Sequence, residues 1–116
     1  MKAFEVKYSC APTFSDTAVD VVFAKDEEEA KFKFENRKNL FADYAGDGKN
    51  ATFKRIPYLD DCENLTLMKK VEKLITEGNW CWPFAGDSLA FYGQLSDKEL
   101  KAFEKRWLEA YGSEEI

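Results

Sequence analysis

A chain of 116 residues with 45% hydrophobic, 16% aromatic and 34% charged residues can build one packed core under a wet surface, which argues against disorder and against a second domain. The absence of histidine removes the usual general base of serine and cysteine nucleophiles and the commonest ligand of zinc, iron and copper. A net charge of −5 disfavours direct nucleic-acid binding, because phosphate contacts need a basic surface.

The segment AFEVKY alternates, with Phe4, Val6 and Tyr8 on one side and Glu5 and Lys7 on the other, which predicts a half-buried strand. APTFSD turns the chain, and TAVDVVFA predicts a second strand with Val19, Val21 and Phe23 together, so the two strands form an antiparallel hairpin. Asp26 followed by Glu29 resembles a capping box and opens a helix whose inner face would be Ala30, Phe34, Arg37 and Phe41. ADYAGDGKN is a glycine-containing loop, and ATFKRIP a third strand closed by Pro57. After YLDDCEN, the residues Leu67, Met68, Val71, Leu74 and Ile75 form the stripe of a second helix, with Gly78 as its C-terminal cap. A third helix starts at Ser96, where Ser96 and Glu99 make an S-x-x-E box, and buries Leu100, Phe103, Trp107 and Ala110 or Tyr111. Gly112 ends it and the acidic SEEI tail is expected to fray.

Between the last two helices lies GNWCWPFAGD, where Cys81 sits between two tryptophans. Alternation places Trp80, Trp82 and Phe84 on one face and Cys81 and Pro83 on the other, and LAFYG alternates again with Leu89 and Phe91 against Ala90 and Tyr92. This is a β-hairpin turning at Ala85 to Ser88, with Pro83 marking an edge strand. No histidine exists to activate Cys81, so it is expected to be a packed strand residue whose thiol reacts slowly with alkylating reagents at neutral pH and much faster on unfolding. Most of the aromatic side chains are expected to pack under the last helix against Phe103 and Trp107.

Cys10, Cys62 and Cys81 have no C-x-x-C spacing, so neither a metal site nor a disulfide framework is expected, and no cofactor is implied. Asp43, Asp47 and Gly48 imitate part of a calcium loop, but Ala45 and Lys54 stand where carboxylates belong. GDGKN lacks the first glycine and the final Ser or Thr of a phosphate loop. No apolar run reaches the ~20 residues of a membrane helix, and MKAFEVKYSC turns charged too early for a signal peptide, which points to the cytoplasm.

The expected fold is therefore a compact α+β domain over 1–116 in the order ββαβαββα, a mainly antiparallel sheet packed by helices. VVFAKDEEEAKFKFENR, then FKRIP, a short helix and GNWCW, resembles small accessory proteins of bacteriophages and prophages. Some of the phage proteins it resembles carry paired cysteines after the tryptophans, where this chain has Cys81 alone, so the resemblance implies no metal site here. The resemblance implies a non-enzymatic protein that binds and inhibits a host protein or protein–nucleic-acid complex in the host cytoplasm, as anti-CRISPR proteins do. Asp60, Asp61 and Glu63 are the candidate contacts, able to meet lysine or arginine in a nucleic-acid channel. The alternative is a binder of nucleotide-like ligands, with Trp80, Trp82 and Tyr92 lining an aromatic pocket.

Overall fold

The computed structural model describes residues 1–9, 17–41 and 51–115. Cys10, the turn 11–16, the loop 42–50 with its calcium-like residues, and residue 116 lie outside the described residues. The elements are β1 (Lys2–Ser9), β2 (Thr17–Ala24), α1 (Glu27–Glu35), β3 (Thr52–Arg55), a short 3-10 helix (Pro57–Leu59), α2 (Leu67–Gly78), β4 (Cys81–Trp82), β5 (Phe91–Tyr92) and α3 (Asp97–Tyr111). The class is α+β, in the expected order, with antiparallel sheets. The strands divide between two of them, β2-β1-β3 and β4-β5, and the chain falls into two compact units, Met1–Glu63 and Asn64–Ile116.

In the first unit β1 is central and pairs antiparallel with both β2 and β3, so β2 and β3 run parallel to each other on either side of it. Phe4 faces Val22, Val6 faces Asp20 and Tyr8 faces Ala18 across the ladder, and partners across a ladder share a face. The face covered by α1 thus carries Phe4, Val6, Tyr8, Val22 and Ala24 under Ala30 and Phe34. The trio Val19, Val21 and Phe23 points to the other side, where Val21 is buried and Val19 exposed. The surprise is Asp20, a buried carboxylate on the α1-facing side. Its Oδ1 accepts from the amides of Val21 (2.7 Å) and Phe41 (3.0 Å), and its Oδ2 from the side-chain amide of Asn39. Those bonds replace the water it gives up and hold the chain leaving α1 against β2.

α1 begins as expected, with Asp26 accepting from the Glu29 amide, but ends at Glu35, so Arg37 and Phe41 are not on its face. The stop is a Schellman turn: Arg37 adopts φ 54, its amide donates to the Phe34 carbonyl, and the Lys38 amide to Lys33. Nothing in the period-2 stretch AKFKFENR beyond Phe34 supplies a further apolar residue to the helix face.

In the second unit α2 buries Met68, Val71, Leu74 and Ile75. The left-handed residue that closes it is Asn79 (φ 58) rather than Gly78, which stays helical. Asparagine tolerates that region better than other side chains do. α3 starts on the full Ser96–Glu99 capping box and ends at Gly112 with φ 77. Its buried residues Phe103 and Trp107 gather the hairpin aromatics, with Trp82 at 5.4 Å from Trp107, Phe84 at 5.8 Å from Phe103 and Phe91 at 5.3 Å from Phe103. The residues expected to fray instead dock: Ser113 O accepts from Trp107 Nε1, Glu114 O from the Met68 amide, and Glu115 Oε1 from the Leu67 amide. Thr66 Oγ1 accepts from the Lys69 amide, so the orphan donors at the start of α2 are met by a side chain and a returning acidic tail.

Candidate functional site

Asp60, Asp61 and Glu63 follow the 3-10 helix, which Pro57 opens, and are brought together around β1 of the same unit. Asp60 receives a bidentate pair from Arg55, both contacts 2.7 Å, and the Ala3 amide at 2.8 Å. The Arg55 guanidinium, with the Ala3 amide behind it, holds the Asp60 carboxyl well below the usual carboxylate range. Asp61 and Glu63 flank the Met1 ammonium at 2.8 and 2.9 Å, which raises the ammonium pKa and lowers that of Glu63. The three acids thus meet cations of their own chain, and only Asp61, 87% exposed at the side chain, presents much carboxylate to solvent.

The aromatic trio is divided. Cys81 pairs with Tyr92 and Trp82 with Phe91, and successive strand residues point to opposite faces, so Tyr92 and Trp82 lie on opposite sides of the hairpin. Trp82 packs on Trp107, Trp80 is half-buried ahead of the strand, and Tyr92 is 70% exposed. Cys81, on the Tyr92 side, is exposed, which overturns the packed-thiol expectation, and alkylating reagents are expected to reach it in the folded chain. The reason is length. The strands have two residues each, and Pro83, without an amide donor, ends the ladder, so the turn at Ala85 and Gly86, closed by the Asp87 amide on the Phe84 carbonyl, lies inside a long loop 83–90 instead of joining the strands directly. Freed from the ladder, Leu89 is 80% exposed instead of facing the core beside Phe91.

That loop creates the concavity sequence reasoning missed. Asp87, Leu89, Phe91, Tyr92, Leu95 and Glu99 are among the residues that line an open groove of about 750 Å³. Arg106 fixes the loop from beneath, with Nε 2.9 Å from Asp87, an N–H donated to the Ala85 carbonyl and its guanidinium 5.0 Å from the Phe84 ring. The groove's ionisable groups, Tyr92 apart, are both carboxylates.

The chain matches no protein-family model, no curated protein and no solved structure. Among the described residues there is no group of three or more His, Cys, Asp or Glu able to hold a metal, and no helix long and apolar enough to cross a membrane.

A second cluster bridges α2 and α3. Lys69 Nζ lies 2.5 Å from Glu104 and 3.5 Å from Glu72, whose side chain is 13% exposed. Burial, reinforced by the neighbouring Glu104 carboxylate, pushes Glu72 up to about 7, while Glu104 is lowered because it is hydrogen-bonded by the Glu72 carboxyl and Lys69. A carboxyl whose folded pKa is raised binds its proton more tightly in the folded state. Its stabilising contribution is complete below the unfolded value of 4.5 and is lost as pH climbs to about 7. The lowered Glu104 acts in the range below 4.5, outside that window. Glu72→Gln is therefore expected to match the parent near pH 4.5 and to be more stable at pH 8, by about 1–3 kcal/mol. Urea midpoints across pH 4.5–8 check it, and parallel curves for the two proteins would count against the shared proton.

Proposed function

We propose that the protein acts by binding another protein through the 86–99 groove, as an inhibitor or modulator of a host complex rather than as an enzyme. The observation that carries this reading is the pair Leu89 and Tyr92, two large side chains 80% and 70% exposed on the wall of one concavity. Aromatic and aliphatic groups left in water around a groove are the usual anchors of a protein contact. Asp60, Asp61 and Glu63 take second place, since their charges already meet Arg55 and the Met1 ammonium. The nucleotide alternative is weakened by the groove's own chemistry, because Asp87 and Glu99 would repel phosphates. The phage and anti-CRISPR association contributes the choice of target and rests on the resemblance alone.

The test is affinity capture from bacterial lysate with the parent chain and with the double variant Leu89→Ser, Tyr92→Ser. Both sites are exposed, so folding should change by no more than about 0.5 kcal/mol per site. The parent is expected to retain a stoichiometric partner and the variant to lose it with its circular dichroism unchanged. A partner kept by the folded variant, or turnover of a small substrate with no partner, would overturn the reading.

A further inference from the structure

We infer that the groove receives a cationic side chain, arginine in preference to lysine, carried on an apolar segment of the partner protein. This rests on the protein-binding reading above and specifies the partner's chemistry. Three features of the groove converge on it. First, the walls hold Asp87 and Glu99 but no lysine or arginine. Asp87 is already matched by Arg106. Glu99 lends Oε1 to the Ser96 amide at 3.2 Å, and among the described residues no cation is paired with it. A carboxylate whose orientation is fixed by a helix cap and whose charge is unmatched is a ready partner for a guanidinium. Second, Tyr92 lines the same groove with most of its surface in water, which offers a ring for the planar guanidinium to stack on. Third, Leu89, Ala90, Phe91 and Leu95 supply an apolar lining that suits the methylene stem of an arginine and an aliphatic neighbour. At about 750 Å³ the groove has room for more than one side chain.

The prediction is read by titrating the 15N-labelled chain with three blocked pentapeptides, Leu-Ala-X-Ala-Leu, in which X is arginine, citrulline or glutamate. Citrulline keeps the shape of arginine and removes its charge. The arginine peptide is expected to shift amide resonances within 86–99 and to bind about tenfold tighter than the citrulline peptide, the worth of one charge-assisted hydrogen bond, while the glutamate peptide binds weakest. Glu99→Gln is expected to erase most of that tenfold preference. Glutamine also serves at the third position of a capping box, so helix α3 survives the change. Equal binding of the arginine and citrulline peptides, a preference unchanged in Glu99→Gln, or no shift within 86–99 from any peptide would each overturn the inference. The protein-binding reading stands or falls separately, on capture by the parent and by the Leu89, Tyr92 double variant.

Discussion

Trp107→Ala should cost the second unit about 4 kcal/mol, within the range for truncating a fully buried indole, and is expected to be among the most damaging single substitutions in the chain. Trp107 has no exposed surface and is ringed by Tyr111 at 4.6 Å, Trp82 at 5.4 Å, Phe103 at 5.8 Å and Phe84 at 6.4 Å. Those rings cannot all collapse into the vacated volume, because Trp82 is held by the β4 ladder and Phe103 by the α3 backbone. The indole also donates Nε1–H to the Ser113 carbonyl at 2.9 Å, so the truncation loosens the tail that caps α2. Trp107→Phe separates the two contributions: it keeps a ring and loses the donor, and should cost roughly half as much. Hydrogen exchange of the α2 and α3 amides is the appropriate measurement, since it reports opening segment by segment. Protection that is unchanged in Trp107→Ala would refute the central place given to this residue.

Asp20→Ala should destabilise the first unit by about 3 kcal/mol, despite removing only a small acidic side chain from an acidic protein. Among the described residues, the amides of Val21 and Phe41 and the side chain of Asn39 all donate to that carboxylate. Alanine would take the carboxylate acceptor away from all three, and each lost bond costs on the order of 1 kcal/mol or more. Asp20→Asn should be milder, because a carbonyl oxygen can still accept from the two backbone amides. Exchange protection at Val21 and Leu40 reports the outcome, and the Leu40 amide, which donates to the Val21 carbonyl at 2.7 Å, should lose the most. A near-neutral Asp20→Ala would mean that the segment 39–41 is held by packing and not by this carboxylate.

The elements that were legible in the sequence are those whose signals act locally. The Ser96–Glu99 box, the Asp26 cap and the apolar stripe Met68, Val71, Leu74 and Ile75 depend on residues within a few positions of one another, and each appears where the spacing puts it. Long-range choices were not legible. Asp20 violates the polar-outward rule because its partners lie about twenty positions away, a separation no local pattern encodes. Leu89 reads as a core position while the hairpin is assumed tight, and becomes a groove wall once Pro83 has cut the ladder short. Glu72 looks like one more solvated helix acid until Glu104 is brought against it from α3. The acidic trio was legible as a cluster but not as a set of partners for Arg55 and the Met1 ammonium, which come from other parts of the sequence.

The tail that returns to α2 has a consequence for the order of events during synthesis. Thr66 and Leu67 find acceptors on Glu114 and Glu115, 48 positions further along the chain. At about 5–20 residues per second a ribosome needs several seconds to cover that distance, whereas a helix relaxes in about a microsecond. α2 therefore emerges with its first amides exposed to water and waits, as a fraying segment, for residues 113–115 to clear the exit tunnel. The second unit is expected to complete its folding only after release of those residues, so a nascent chain stalled before Ser113 should remain open to protease at α2.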